Sequence, residues 1–436
     1  MITIPVDNAV EVDVQSAAFR ARAAATYSKV LPCLQRAWML HGKNLTDWSY
    51  PADAQLHFEE LRNMTEKFRH APVHEYAGYE GPWIENIFIK QFMDKPLHFF
   101  NGFIPIFVQW IDTQILRGRH FDSIGHHLHA MLRPNVLYLA VSQGDVGLGW
   151  IGSNNPNILV LSAGGYGHVP IPLVRSEINR SPHKGYTQDI GFFGNSRQMS
   201  RPDVLRQVQE GIDEYKSQQQ QQQQRAWASS GTPLKVGQGA TWQIDMENTR
   251  FNLAPRGYGR SSFRFAEIIQ MNRLPVFVYD DYPWIPYNGS VISAETFGFV
   301  AGLHVANRFN ANTTKESGEY VPYDMNHTSS FNRGMGVGLH DLVYYLNDMS
   351  EVQFKEKLER VDRVRNYFTY QGVVEQIVKL IGDPFGQDGG FLTCTNHPRT
   401  ERCCDPDVRY NYNLSPKDVG IRRRRRRRRL RGRGAI

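Results

Sequence analysis

The residues best suited to bind a charged ligand lie at positions 251–281, in the stretch FNLAPRGYGRSSFRFAEIIQMNRLPVFVYDD. A loop rich in glycine and arginine precedes a helical pattern there, with Arg256, Gly257, Gly259, Arg260 and Arg264 in order. Glycine lets a backbone approach a ligand closely, and free N–H groups at a helix start carry partial positive charge. Arginine adds charge-assisted hydrogen bonds to phosphate oxygens. The loop therefore predicts a cradle for a diphosphate; the simpler alternative is a glycine turn with solvated arginines.

Three acidic residues accompany this loop. Glu267 falls one turn into the predicted helix, where its carboxylate could accept hydrogen bonds from ribose hydroxyls. Asp280 and Asp281 follow a predicted strand, at the edge where open α/β sheets place their ligands. We expect these two aspartates to bind sugar hydroxyls or to cap the strand end.

The elements that must position these residues form a strand–loop–helix–strand unit. We predict a strand at 251–254, a loop at 255–261, a helix at about 262–271 and a strand at 275–279. Ser261 or Ser262 can cap the helix. Its apolar positions Phe265, Ile268 and Ile269 form one buried stripe.

The chain on either side of this unit also alternates between predicted strands and predicted helices. Short apolar runs predict strands at 103–108, 136–141, 157–161 and 190–193, and helical patterns cover 121–132, 202–214, 297–307, 338–347 and 351–380. Two further helices are predicted before position 75, at 17–34 and 54–68. Apolar strands that alternate with helices indicate an α/β protein with parallel sheets, and the composition excludes a fibrous or wholly disordered chain.

The 251–281 stretch resembles the signature of exostosin-type glycosyltransferases. The matching motifs are Pro255-Arg256-Gly257, Ser262-Phe263-Arg264, Glu267, Pro275-Val276 and Asp280-Asp281-Tyr282. Weaker collinear matches lie upstream at Glu80, Phe88, 103–108, 136–147 and 190–201, the last followed by an Arg-Pro pair like the family's. The resemblance covers residues 76–380.

This resemblance implies the GT-B fold, in which two Rossmann-like domains face a cleft. It implies transfer of a sugar, with inversion, from a nucleoside-diphosphate donor, expected to be UDP-linked, to a glycan acceptor. The donor-binding residues would be Arg256, Gly257, Arg260, Ser261, Ser262, Arg264, Glu267, Asp280 and Asp281. No metal cofactor is expected, because arginines and the helix end would stabilise the leaving diphosphate. Asp145, which ends a strand-loop in the first half, is the candidate base; otherwise it is a turn residue.

The predicted organisation has four parts. Residues 1–75 form a helical N-terminal extension, 76–185 the acceptor domain and 186–380 the donor domain, which contains a glutamine-rich insertion at 216–239. Residues 381–436 form a polar, cysteine-containing tail, and the basic arginine run at its end is disordered by composition.

The net charge of +7 comes entirely from that tail, because ten of its last fifteen residues are arginine. Without those ten, the chain holds 40 basic and 43 acidic residues and is slightly acidic. A nucleic-acid partner is therefore not expected, although a salt-sensitive one acting through the tail is a lesser alternative. The main alternative to an enzyme is an inactive GT-B subunit that binds nucleotide or glycan. An oligomer with itself or another glycosyltransferase is also possible.

The cysteines and glycosylation sequons give information about the cellular compartment of the protein. Cys394 could pair with Cys403 or Cys404, or all thiols could be reduced. Seven N-x-S/T sequons lean towards a lumenal glycoprotein. The resemblance implies the Golgi lumen or membrane, although neither a signal peptide nor a transmembrane segment is visible in the sequence.

Overall fold

The computed structural model describes residues 13–14, 16–38, 49–69, 81–116, 118–178, 185–221, 232–280, 283–303 and 337–394. Within them the chain builds a mixed α/β structure with two parallel sheets. Their strands are mostly buried, as in parallel sheets covered on both faces, except for the edge strand at Thr232–Gly237, which is partly exposed. The predicted limits of the four chain segments stay a prediction.

The first sheet has four parallel strands in the order β1-β2-β3-β4. They are β1 (Ile104–Pro105), β2 (Tyr138–Ser142), β3 (Ile158–Ser162) and β4 (Val169–Pro170). In its longest register, Tyr138 pairs with Ile158 and Ser142 with Ser162. The loops that follow β2 and β3 therefore leave the sheet side by side.

The second sheet has six strands in the order β10-β9-β8-β7-β5-β6, and all its pairs are parallel. They are β5 (Gln188–Phe193), β6 (Thr232–Gly237), β7 (Thr249–Pro255), β8 (Leu274–Tyr279), β9 (Phe299–Gly302) and β10 (Val337–Gly338). The chain runs outward from β5 to β6 and then returns to β7 on the other side of β5. This reversal makes the carboxyl ends of β5 and β7 the place where such sheets bind ligands.

The helices alternate with these strands. They are α1 (Ala17–Trp38), α2 (Ala54–Thr65), α3 (Ile84–Phe92), α4 (Trp110–Leu116), α5 (Gly118–Met131), α6 (Trp150–Asn154), α7 (Arg201–Gln221), α8 (Trp242–Glu247), α9 (Phe263–Gln270), α10 (Ala294–Phe297), α11 (Leu339–Asn347), α12 (Glu351–Val364) and α13 (Tyr370–Gly382). Three short 3-10 turns lie at Glu66–Phe68, Leu97–Phe100 and Arg365–Phe368. The described helices include none that is long and apolar enough to span a bilayer.

Local sequence explains several boundaries. Ser350 and Gln353 form a reciprocal capping box at the start of α12, and the Thr369 hydroxyl accepts from the Gly372 N–H at the start of α13. The predicted helical pattern at 351–380 is therefore two helices. The predicted stripe of α9 is confirmed, because Phe265, Ile268 and Ile269 are all buried.

Two predictions of secondary structure need correction. The apolar run expected as a helix at 297–307 starts instead as β9, which pairs with β8; its residues after position 303 lie outside the described part of the chain. A short apolar run fits a buried strand or a buried helix equally well, so its neighbours decide. The strand expected at 103–108 contributes only two residues to the first sheet.

A disulfide joins Cys33 in α1 to Cys394 after α13, across 361 positions of sequence. The predicted local pairing of Cys394 with Cys403 or Cys404 is therefore wrong; those two residues lie outside the described part of the chain. The same end of the molecule carries an ion pair between Lys29 and Asp383. Sequence spacing could not reveal this link, because it depends on the segment after α13 folding back against α1.

Candidate functional site

The predicted loop at 255–261, called the arginine loop below, lies directly against two loops of the first sheet. The backbone N–H of Gly259 donates to the Asp145 carboxylate at 3.1 Å, which brings the candidate base to this loop. The N–H of Arg260 donates to the Gly164 carbonyl at 2.8 Å, and the Ser261 hydroxyl donates to the Ala163 carbonyl. The carboxyl ends of β2, β3 and β7 therefore meet at one place.

Glycine makes this close approach possible. A Cβ on Gly259 would lie 1.9 Å from the Gly164 carbonyl oxygen, and a Cβ on Gly164 would lie 1.9 Å from that of Gly144. Three loops thus stack backbone on backbone with no room for a side chain. At Gly257, in contrast, a Cβ would meet only the Ser261 carbonyl, at 3.7 Å. The geometry requires glycine at position 259 because the loops contact each other there. The sequence pattern alone did not reveal this role.

The side chain of Arg256 stabilises the conformation of the arginine loop. Its guanidinium donates to the carbonyls of Gly259 at 3.0 Å and Tyr258 at 2.9 Å, and it forms an ion pair with Asp280 at 2.9 Å. These bonds fold residues 256–259 around a charged side chain. They also place Asp280 at the site, at the carboxyl end of β8 as predicted. Asp281 lies outside the described residues.

Arg264 and Glu267 form a buried ionic group with a residue that the sequence did not single out. Arg264 donates to Glu267 and to the carbonyl of Phe193, at the end of β5. The other carboxylate oxygen of Glu267 lies 3.2 Å from Arg175, which follows β4. Both arginines also face the ring of Trp242, with guanidinium carbons 3.9 Å and 5.8 Å from its centroid.

Arg201 adds a further positive charge beside this group. It donates to the carbonyl of Arg256 at 3.1 Å and to the carbonyl of Asn195 at 3.0 Å. Burial, followed by the nearby charge of Arg264, lowers the pKa of Arg201 to about 10. Burial is also the main cause that lowers the pKa of Arg264. The protein therefore holds these cations at an electrostatic cost.

The four arginines described above, Arg175, Arg201, Arg256 and Arg264, are called the arginine cluster below. Glu267 and Asp280 are carboxylates in direct contact with the cluster. The charge of Arg256 also acts on the carboxyl of Asp145. A bound dianion can accept charge-assisted hydrogen bonds from guanidinium groups of this kind.

The N-terminus of α9 opens beside the cluster. Ser262 occupies the cap position but makes no side-chain capping bond. Its hydroxyl is buried and has no hydrogen-bond partner within the described structure. The expectation that this serine caps the helix through its side chain is therefore not met. The arrangement leaves a buried hydroxyl at the positive end of a helix dipole.

Arg260 points away from the cluster. Its guanidinium lies over the ring of Tyr166 in the β3 loop, 4.3 Å from the centroid. Its backbone and side chain both contact loops of the first sheet, so Arg260 holds the arginine loop against that sheet. The structure thus separates Arg260 from Arg256 and Arg264, although the three follow one another closely in sequence.

Asp145 combines a contact with the arginine loop and an accessible face. Burial raises its pKa to about 6, against lowering by the Gly259 N–H and the Arg256 charge. The residue is nevertheless solvent-exposed, so water at its open side works against the rise. A carboxylate with this pKa is deprotonated at neutral pH and can accept a proton.

A second acid, which no sequence pattern indicated, lies near the β2 loop that carries Asp145. The buried carboxylate of Glu85 accepts from the N–H groups of Ile111 and Gln143, both at 2.9 Å. Burial raises its pKa to about 7, and Asp112 contributes to the rise. Glu85 thus ties the start of α4 to the β2 loop that carries Asp145. A lone glutamate in a mostly apolar helix gave no signal for this role.

Comparisons with known proteins do not identify a family for this chain. No family model matches this chain, and no curated protein does. A solved structure titled "Crystal Structure of TarM" is 10% identical, with a TM-score of 0.29. The match covers 61% of this chain and 58% of that one, so this chain spans less than two thirds of it.

Proposed function

We propose that this chain is an exostosin-like glycosyltransferase that transfers a sugar, with inversion, from a UDP-sugar to a glycan. The observation that carries the proposal is the arginine cluster, which surrounds the carboxyl ends of β5 and β7 and the N-terminus of α9. A diphosphate is a ligand that such a set suits, because its oxygens accept charge-assisted hydrogen bonds from guanidinium groups and from N–H groups at a helix start. The resemblance of residues 251–281 to the exostosin signature supplies the reaction type.

The proposed mechanism divides the work between the two sheets. Asp145 takes the proton from an acceptor hydroxyl, and that oxygen attacks the anomeric carbon while the bond to the diphosphate breaks. Arg264 and the α9 N-terminus stabilise the negative charge that develops on the leaving UDP. Because guanidinium groups supply this stabilisation, the proposed reaction needs no metal ion.

The proposed setting is the lumen of the secretory pathway. The Cys33–Cys394 disulfide supports it, since disulfides persist in oxidising compartments. The proposed acceptor side is the edge of the first sheet around Asp145, which faces the arginine loop. The Golgi, and oligomers with itself or another glycosyltransferase, remain expectations from the family resemblance.

The test is a panel of UDP-sugars with glycan acceptors, in which released UDP is measured. We expect one donor to be consumed, and Arg264→Ala to weaken UDP affinity about 100-fold, because a partly buried charge-assisted contact is lost. Arg206→Ala, an exposed arginine paired with Glu210 on α7, is the matched control and should bind UDP like the parent.

Two outcomes would count against the proposal. If the parent binds no UDP or UDP-sugar, the arginine cluster is not a donor site. If it binds UDP but turns over no donor on any acceptor, the inactive nucleotide-binding subunit becomes the better description.

A further inference from the structure

The buried trio of Arg175, Glu267 and Arg264 has an uneven charge. Glu267 is 1% exposed and contacts one guanidinium through each carboxylate oxygen. Its pairing with Arg264 alone would be neutral and would attract an anion weakly. With Arg175 on the other oxygen, the trio carries one net positive charge.

Exposure shows where this charge faces solvent. The Arg264 side chain is 18% exposed, whereas that of Arg175 is 8% exposed. Arg264 also lies at the β5 end through its bond to the Phe193 carbonyl. Arg264 is therefore the open end of the trio, and Arg175 is its buried end.

Trp242 holds the two arginines in fixed positions. Its ring faces both guanidinium groups, the nearer being that of Arg264 at 3.9 Å. Stacking on an indole and hydrogen bonding to one carboxylate restrict both side chains before any ligand arrives. Such preorganisation lowers the entropy cost of binding an anion.

We propose that Arg175 is a positioning residue of the anion site, one that offsets the charge of Glu267 and so leaves the charge of Arg264 available to a diphosphate. Glu267 then aligns the two arginines and does not accept from a ribose. This inference rests on the proposed function, because it assumes that a diphosphate binds at Arg264. It also joins the two halves of the chain in one site, since Arg175 follows β4 of the first sheet.

The test is a double-mutant cycle that uses inorganic pyrophosphate and UDP as probes. Arg175→Met should weaken the binding of both by about 30-fold, because Glu267 then neutralises Arg264. Glu267→Gln should bind both probes at least as tightly as the parent. The double variant should return to near parental affinity, since Arg264 is again uncompensated.

Controls separate charge from folding. Arg175→Lys keeps the charge and should retain most of the affinity, and thermal unfolding of each variant should show whether it is folded. Arg206→Met, Glu210→Gln and their double variant repeat the cycle on an exposed pair and should leave both affinities unchanged.

The outcomes are distinct. If folded Arg175→Met binds pyrophosphate like the parent, Arg175 is merely structural and the inference fails. If Glu267→Gln weakens UDP but not pyrophosphate, Glu267 binds the ribose and the inference also fails. If the parent binds neither probe, the proposed function itself has failed.

Discussion

The ends of β2 and β7, one strand from each parallel sheet, carry side chains of opposite charge. At the first sheet, Asp112 in the helix after β1 is buried and Asp145 in the loop after β2 is exposed. The buried Glu85 of α3 accepts hydrogen bonds from both of these segments. At the second sheet, the positions that follow β5 and β7 hold arginines. The same architecture thus supplies two different chemical surfaces, because the sheet fixes the location and the loop residues fix the charge.

The proposed reaction needs both of these charges in one site. A base must be an anion when it accepts a proton, whereas a leaving diphosphate needs cations. The Gly259 N–H touches Asp145, and the Arg256 guanidinium bonds to the Gly259 carbonyl. One residue of backbone therefore separates the proposed proton acceptor from the arginine cluster.

The largest expected effect comes from removing the charge on the first sheet's edge. Asp145→Asn should reduce sugar transfer by about 10²–10⁴-fold, because the base is lost, and should change UDP affinity by only a few-fold. Steady-state transfer assays and UDP titrations measure the two quantities. Asp213→Asn, on the exposed face of α7, is the control. Full transfer activity in Asp145→Asn would remove it as the base.

The pH profile of the parent sharpens the same assignment. The pKa of Asp145 is raised to about 6, and the carboxyl works as a base only when deprotonated. Because Asp145 is exposed, the midpoint of the rise in transfer should lie between the ordinary value of 3.8 and about 6, and transfer should level off above about 7. A rate that stays constant between pH 3 and pH 8 would speak against this role.

A smaller effect is expected at the covalent link between α1 and the segment after α13. Removing the disulfide with Cys33→Ala and Cys394→Ala should lower the free energy of unfolding by about 2–4 kcal/mol, since the unfolded chain gains freedom. Denaturant unfolding with and without reductant measures this. Replacement of Cys403 and Cys404 should leave the sensitivity to reductant in place. A parent that is insensitive to reductant would contradict the prediction.

The smallest effect concerns the buried acid under the β2 loop. Glu85→Gln should lower the free energy of unfolding at pH 5 by about 1–2 kcal/mol, because the amide nitrogen cannot accept from a backbone N–H, whereas both oxygens of the protonated Glu85 carboxyl can. Denaturant unfolding measures it, with Glu59→Gln on the exposed face of α2 as the control. Equal stability of parent and variant at pH 5 would show that these bonds contribute nothing.

The sign of the pH dependence follows from the raised pKa. Folded Glu85 has a pKa of about 7, above the ordinary value of 4.5, so the folded state binds more protons between these two pH values. The parent should therefore lose stability relative to Glu85→Gln as pH rises from about 4.5 to about 7, by up to about 3 kcal/mol. A difference that is constant from pH 4.5 to pH 8 would refute the assignment.

Much of the second sheet's edge could be predicted from the sequence. Strands, loop and helix at 249–279 follow the predicted order within a few residues, because apolar runs, glycines and a helical stripe are local signals. The places of Arg256, Arg264 and Asp280 at the strand ends follow from that order. Their use for binding a donor stays a prediction.

Other features depended on contacts between distant parts of the chain. Arg175, Trp242 and Glu85 carry no local motif, and each acquires its place through partners 22 to 92 positions away. The pairing of Cys33 with Cys394, and the strand at Phe299–Gly302, were likewise decided by neighbours in space.

The sequence by itself therefore determined the class of fold, the arginine loop and the edge on which it lies, since these follow from periodicity and strand order. Only the tertiary structure decided which charges meet. It turned Arg260 towards Tyr166, brought Asp145 to Gly259 and set Arg175 against Glu267. The physical reason is that burial makes an ionic contact strong, and burial is a property of the folded chain.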